Sequence, residues 1–149
     1  MIDLKFKLIF FDSAKVLQAV DKAKRAVLAK AGAFVRQTAK TSIRAKKGSA
    51  PPGRPPHSHT GLLRKFIFFG YDRGTDSVVV GPAKLNRATE APHVLEFGGQ
   101  TTVERRRYRR GRVQKVRRRV TIDARPFMGP ALEKERPKLP KRWAGSVRG

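Results

Sequence analysis

The chain of 149 residues contains no cysteine. Disulfides, thiol catalysis and thiolate zinc sites are therefore excluded. Histidine is scarce, at three residues, too few for a rich metal site. No apolar run approaches the roughly 18 to 20 residues of a membrane span. The opening residues Met1-Ile2-Asp3-Leu4-Lys5 lack the layout of a secretory signal, so a soluble protein working without redox chemistry is expected. Phosphate-cradling loops of the form G-x-x-x-x-G-K-[ST] or G-x-G-x-x-G are also missing. Acids are few: 11 Asp plus Glu stand against 35 Lys plus Arg, giving a net charge of +24. That excess points to an acidic or polyanionic neighbour, whether nucleic acid, an acidic protein surface or a membrane face. The length fits one domain able to bury its own core. The apolar fraction of 39% is low for a compact globule and above that of a wholly disordered chain.

Along the chain, Ile2, Leu4, Phe6, Leu8 and Phe10 alternate with Asp3, Lys5, Lys7 and Ile9, the period of a strand with one buried face. Asp12 and Ser13 carry helix-capping oxygens. Val16, Val20, Ala23, Val27, Ala31, Phe34 and Val35 then recur every three or four residues; Thr38 matches weakly and Ile43 resumes the apolar face. This predicts an amphipathic helix of about 30 residues with Lys15, Lys22, Lys24, Arg25, Lys30 and Arg36 mostly outside. Gly32 marks either close packing or a kink. Residues 46–60 form a Pro/Gly-rich loop, because Ala50-Pro51-Pro52-Gly53-Arg54-Pro55-Pro56 cannot be a helix interior. Two β-rich runs, Phe66–Tyr71 and Val78–Gly81, flank turn residues Asp72–Asp76 and predict a hairpin. Ala91–Phe97 reads as a short helix ended by Gly98-Gly99. Turn geometry is a sufficient reading of Gly61, Gly81 and Gly98-Gly99. Arg125-Pro126-Phe127-Met128-Gly129-Pro130 opens a short helix, Ala131–Arg136, closed by Pro137 and Pro140, and residues 141–149 are expected to be a flexible tail after a single domain over 1–140.

The densest charge lies in a second hairpin, residues 101–122, with its tip at Arg109-Arg110-Gly111-Arg112. Val113, Val116, Val120 and Ile122 supply its β-branched character. Arg105, Arg106, Arg107, Arg109, Arg110, Arg112, Lys115, Arg117, Arg118 and Arg119 coat it, against the single acid Glu104. So many like charges repel one another, and a free ribbon gains nothing from holding them. The hairpin is therefore read as an arm that contacts nucleic-acid phosphates or an acidic neighbouring subunit. Tyr108, its only aromatic residue, is little basis for base stacking. His57-Ser58-His59 sits among prolines and reads as loop, not as a ligand pair. His93, beside Leu95 and Phe97, is expected to be partly buried. Glu90 and Glu96 are the carboxylates that could pair for acid/base work, and Glu96 is the more natural partner for an arginine. Neither a catalytic set nor a cofactor or metal site emerges, so no enzyme is expected.

Four segments in order resemble a known family. They are Thr60-Gly61-Leu62-Leu63, Val78-Val79-Val80-Gly81, Ala91-Pro92-His93-Val94-Leu95-Glu96-Phe97-Gly98 and Ala124-Arg125-Pro126-Phe127-Met128-Gly129-Pro130-Ala131-Leu132. With the long helix before them and the basic hairpin between the last two, they resemble the head–tail connector or tail-completion (neck) proteins of tailed bacteriophages, related to Mu-like virion morphogenesis proteins. The likeness covers residues 13–136 and departs in having Ala91-Pro92-His93 where a Tyr-Ala pair often opens the helix. It implies an α+β fold: a long N-terminal helix packed on a small antiparallel sheet, a protruding basic hairpin and a short C-terminal helix. In that pattern Thr60-Gly61-Leu62-Leu63 opens a strand, and Gly61, Leu62, Gly81, Glu96, Phe97, Gly98, Arg125, Pro126, Phe127 and Pro130 are the structural motif residues. Arg125 is placed to pair with Glu96 or a neighbour's acid, and Phe127 and Leu132 to lock the last helix onto the sheet. The resemblance further implies a virion protein, synthesised in the bacterial host cytoplasm. It would form a homo-oligomeric ring of six or twelve subunits between the portal/adaptor or head-closure proteins and the tail terminator or tail tube, with packaged DNA within reach. The main rival, resting on charge alone, is a non-specific nucleic-acid-binding protein acting through the arginine-rich hairpin. A small regulatory protein such as an antitoxin has no motif in its favour.

Overall fold

The computed structural model describes residues 12–83, 91–109 and 111–146. The strand read over Ile2–Phe10, residue Glu90 and residue Arg110 lie outside the described residues. The fold is α+β, as expected. It comprises α1 (Ser13–Ser42), α2 (Leu62–Lys65), β1 (Ile67–Asp72), β2 (Ser77–Pro82), α3 (Ala91–Phe97), β3 (Gly99–Arg109), β4 (Arg112–Ile122), α4 (Met128–Glu135), a 3₁₀ turn (Arg136–Lys138) and α5 (Leu139–Trp143). Strands β1 and β2 make one antiparallel pair and β3 and β4 another. Among the described residues no helix is long and apolar enough to cross a membrane.

Helix α1 runs 30 residues, about 45 Å. Asp12 caps it by accepting from the Lys15 backbone N–H at 3.1 Å. Its buried stripe is Ala23, Val27, Ala31, Val35 and Ala39, continued past the helix end by Ile43. Small residues dominate the stripe, so the hairpin β1–β2 comes close. A Cβ placed on Gly32 would stand 2.7 Å from Val78 Cγ2 and 2.8 Å from Phe69 Cδ2, so Gly32 marks close packing, not a kink. Phe34 departs from the expected apolar face: it is 46% exposed, and the Arg142 guanidinium stacks on its ring at 3.6 Å.

The core gathers Val35, Ala39, Ile43, Ile67, Phe127 and Ala131, with Leu63, Val80, Leu95 and Met128 packed on it. Phe127 thus locks α4 in place as expected, but Leu132 does not: it is 50% exposed, and Ala131, one position earlier on the helix, takes the inward place. Residues 62–65 form a helical turn and not the start of a strand. Gly61, at φ 71°, turns the chain in the left-handed region, and its carbonyl accepts the Lys65 N–H at 3.0 Å. Gly81, by contrast, is no turn residue; it sits inside β2 opposite Phe68.

Two segments expected to be loose are fastened. The proline loop is tied to the chain beyond β4: Gly53 N–H donates to Ala124 O at 2.8 Å and Arg125 Nε to Ala50 O at 2.7 Å. Prolines bring no donors of their own, so Gly53 and Arg125 supply them. Residues 141–143, where the sequence reading begins a tail, belong to α5, and Arg142 reaches the buried Glu135 at 3.2 Å.

Candidate functional site

The basic arm is a ribbon of two 11-residue strands in register from Gly99↔Ile122 to Arg109↔Arg112. At about 3.4 Å per residue it extends roughly 37 Å. Side chains alternate between its faces, and residues opposite one another share a face. One face carries the positions of Thr101, Val103, Arg105, Arg107 and Arg109 with their partners Val120, Arg118, Val116, Gln114 and Arg112. The other carries Thr102, Glu104, Arg106 and Tyr108 with Arg119, Arg117, Lys115 and Val113. Residues 111–119 are exposed throughout. Glu104 lies 3.4 Å from Arg117 Nε and 3.6 Å from Lys115 Nζ, which offsets part of the charge on its face. Arg106 stands directly opposite Lys115, a like-charge pair that destabilises the ribbon. Tyr108 is 81% exposed. The arm therefore presents guanidinium forks, suited to phosphate or carboxylate oxygens, to whatever lies beside it.

The root of the arm is where two of the sequence motifs meet. Gly98, at φ 76°, ends α3, its N–H bonded to Val94 O at 2.8 Å. A Cβ there would sit 3.0 Å from the Ala124 nitrogen, so glycine is needed for both its conformation and its small size. One step before, Arg125 N–H donates to Leu95 O at 2.6 Å. Glu96 then crosses to the start of α4. Its carboxylate accepts from the backbone N–H groups of Phe127 at 2.8 Å, Met128 at 3.0 Å and Gly129 at 2.7 Å. Neither expected partner of Arg125 is the observed one: its guanidinium is used by the carbonyls of Ala50 and Asp123, and Glu96 serves a helix N-terminus instead of an arginine. The physical reason is local. Phe127, the residue ahead of α4, has no side-chain oxygen to cap it, so the open N–H groups and the positive end of the helix dipole attract the nearest carboxylate. Pro126 is half-buried between the clamped Arg125 and Phe127, Pro130 sits in the first turn of α4, where it needs no N–H, and Leu62 and Phe97 are exposed.

A second polar cluster, not expected from the sequence, joins the C-terminal helices to α1. Glu135 is buried and accepts from Thr38 Oγ1 at 3.0 Å, Lys138 Nζ at 2.8 Å and Arg142 NH2 at 3.2 Å. The Lys138 hydrogen bond, helped by Thr38 and by the nearby charges of Lys138 and Arg142, holds its carboxyl below the ordinary 4.5 against the opposing effect of burial. The Glu135/Lys138 spacing was the available clue. His57 lies in the fastened loop, bridged to Arg44. His93 is exposed, contrary to expectation, and its ring lies 4.9 Å from that of Phe97. Among the described residues no three His, Asp or Glu side chains gather as metal ligands would.

Neither a protein-family model, nor a curated protein, nor a solved structure matches this chain.

Proposed function

We propose that the protein is a structural virion component of a tailed bacteriophage, one subunit of a ring in the neck that joins the DNA-filled head to the tail. The observation that carries this reading is the arm. Among the described residues, a ribbon of about 37 Å with ten basic residues pairs strand to strand only within itself, and an element of that kind suits docking on something else. The root of the arm supports it, because two of the four motifs that resemble the neck family are bonded into one unit through Glu96 and Arg125. In a ring, each subunit presents its arm to a different surface of the next, a heterologous contact that closes by rotation. Portal or adaptor proteins above and tail proteins below are the expected neighbours, with packaged DNA in reach of the arginines. Six subunits are expected and twelve is the alternative. Cryo-electron microscopy of virions tests the reading: a ring of this chain between portal and tail is the expected density, and virions without it overturn the proposal. The triple variant R117A/R118A/R119A should leave the subunit folded by circular dichroism yet leave heads and tails unjoined; normal virion yield would sink the idea.

One observation favours a second reading, a nucleic-acid-binding protein. The major groove of B-DNA admits a two-stranded ribbon, and this ribbon is cationic on both faces. That reading expects strong, salt-steep binding to duplex DNA by the isolated chain.

A further inference from the structure

A cleft of about 390 Å³ lies between the end of α1 and the proline loop, lined by Ser42, Arg44, Pro51, Arg54, Pro55 and His57. Backbone hydrogen bonds hold its frame. Ser58 N–H donates to Arg44 O at 2.9 Å, beside a parallel bridge between Arg44 and His57. Arg54 N–H closes a turn on Pro51 O at 3.3 Å, and Gly53 N–H ties that turn to Ala124 O at 2.8 Å. Ala50, Pro56 and Ser58 are buried, and each proline ring fixes its φ near about −65°. The walls are thus set before any ligand arrives, which removes much of the ordering cost of binding.

The cleft is cationic with no local counter-charge. No Asp or Glu occurs in the sequence between Asp21 and Asp72, whereas residues 44–54 carry Arg44, Lys46, Lys47 and Arg54. The ion pairs among the described residues engage neither Arg44 nor Arg54. His57 Nδ1 is buried with no hydrogen-bond partner among the described residues, a condition uncommon for a polar atom. The carbonyl end of α1 opposes an anion here, but weakly. Its dipole amounts to about half an elementary charge against two guanidinium charges. Thr41 Oγ1 and Ser42 Oγ also donate to the late carbonyls of Gln37, Thr38 and Ala39.

We propose that Arg44, Arg54 and His57 form a binding site for a phosphate group. The two guanidinium forks take its oxygens, His57 Nδ1–H donates to another, and Pro51 and Pro55 stand against the carbon atoms that bear the phosphate. Liquid water occupies about 30 Å³ a molecule, so the cleft has room for the group together with part of its ester. The source is either a free phosphate or small ester, or the backbone of a nucleic acid, since the Gly53 tie places the loop beside the root of the arm. The inference depends on neither functional reading.

Nuclear magnetic resonance of the full chain tests it through the ring nitrogens of the three histidines. Inorganic phosphate, exchanged for chloride at constant pH and ionic strength, should shift His57 saturably and leave the exposed His93 in place. R44A and R54A should each weaken the phosphate about tenfold or more. Both side chains are exposed, so circular dichroism should show the fold intact, and R54A alone decides the matter if R44A does not fold. K22A/K30A should leave the affinity within about twofold, because exposed distant charges are screened. A short DNA duplex added to R117A/R118A/R119A separates the sources. A duplex that shifts His57 and competes with phosphate assigns the site to a nucleic-acid backbone; phosphate binding that the duplex leaves untouched assigns it to a free phosphate or small ester. The proposal is overturned if phosphate shifts His57 no more than chloride does, or if K22A/K30A weakens binding as much as R54A.

Discussion

At the scale of single residues, two carboxylates do most of the organising in this strongly basic chain. Glu96 does from a distance what a capping residue does locally, satisfying three N–H groups at the start of α4. Loss of a cap costs about 0.5–2 kcal/mol, and three acceptances by a charged group put E96A at the upper end. The melting temperature of E96A should fall by about 4–8 °C, with E96Q in between because an amide keeps one acceptor oxygen; an unchanged E96A would mean that α4 is capped some other way. Glu135 behaves differently because its charge is the point. Its carboxyl titrates below 4.5 in the folded protein, so the ion cluster stabilises fully above that value and is lost as pH falls through the depressed folded value. Trp143, the single tryptophan, ends α5 just after Arg142, and its fluorescence reports the docking of that helix. An acid transition in this signal, beginning below about pH 4.5 and absent in E135Q, is the expected result.

At the scale of elements, what could be read from the sequence depended on whether period and cap agreed. Asp12 and the three-to-four spacing specify α1 over its whole length, and Gly98-Gly99 specifies the end of α3. The arm is legible because β-branched residues flank a glycine-containing tip. Residues 62–65 mislead because Leu62 and Leu63 are apolar in either state, and only the left-handed turn at Gly61 decides for a helix. The last helix misleads through its prolines: Pro137 and Pro140 read as stops but sit at helix starts, where their missing N–H is harmless. The Glu96 cap was beyond the sequence because it joins residues 31 apart. The arm itself carries an internal conflict, since cross-strand pairing brings Arg106 onto Lys115. Repulsion of this kind is screened over about 10 Å at 0.1 M salt and about 30 Å at 0.01 M. Amide exchange in β3 and β4 should therefore slow as salt rises across that range, while exchange in α1 stays constant, and E104Q should steepen the dependence. An arm indifferent to salt would mean that its pairing outweighs its charge.

At the scale of the whole molecule, charge is divided unevenly. Residues 104–119 hold a net +9 and the remainder +15 of the total +24. The remainder is spread over a larger surface and partly engaged: Arg36 and Arg125 serve carbonyls, Arg142 a carboxylate, and burial, with Arg36 and Arg64 nearby, pushes Lys40 below its ordinary value. The arm's charge is concentrated on a narrow ribbon and offset by one acid. Counterion release scales with the phosphates neutralised, about 0.9 in the slope of log K against log salt for each. If the arm is the surface that meets polyanions, R117A/R118A/R119A should lower that slope for duplex DNA by about 2–3, whereas K22A/K30A on the exposed side of α1 should change it by about one or less. The comparison also separates the two functional readings. A steep wild-type slope that collapses in the arm variant assigns the arginines to phosphates. A shallow slope that the arm variant leaves unchanged, in a subunit that no longer joins heads to tails, assigns them to the acidic surface of a neighbouring protein.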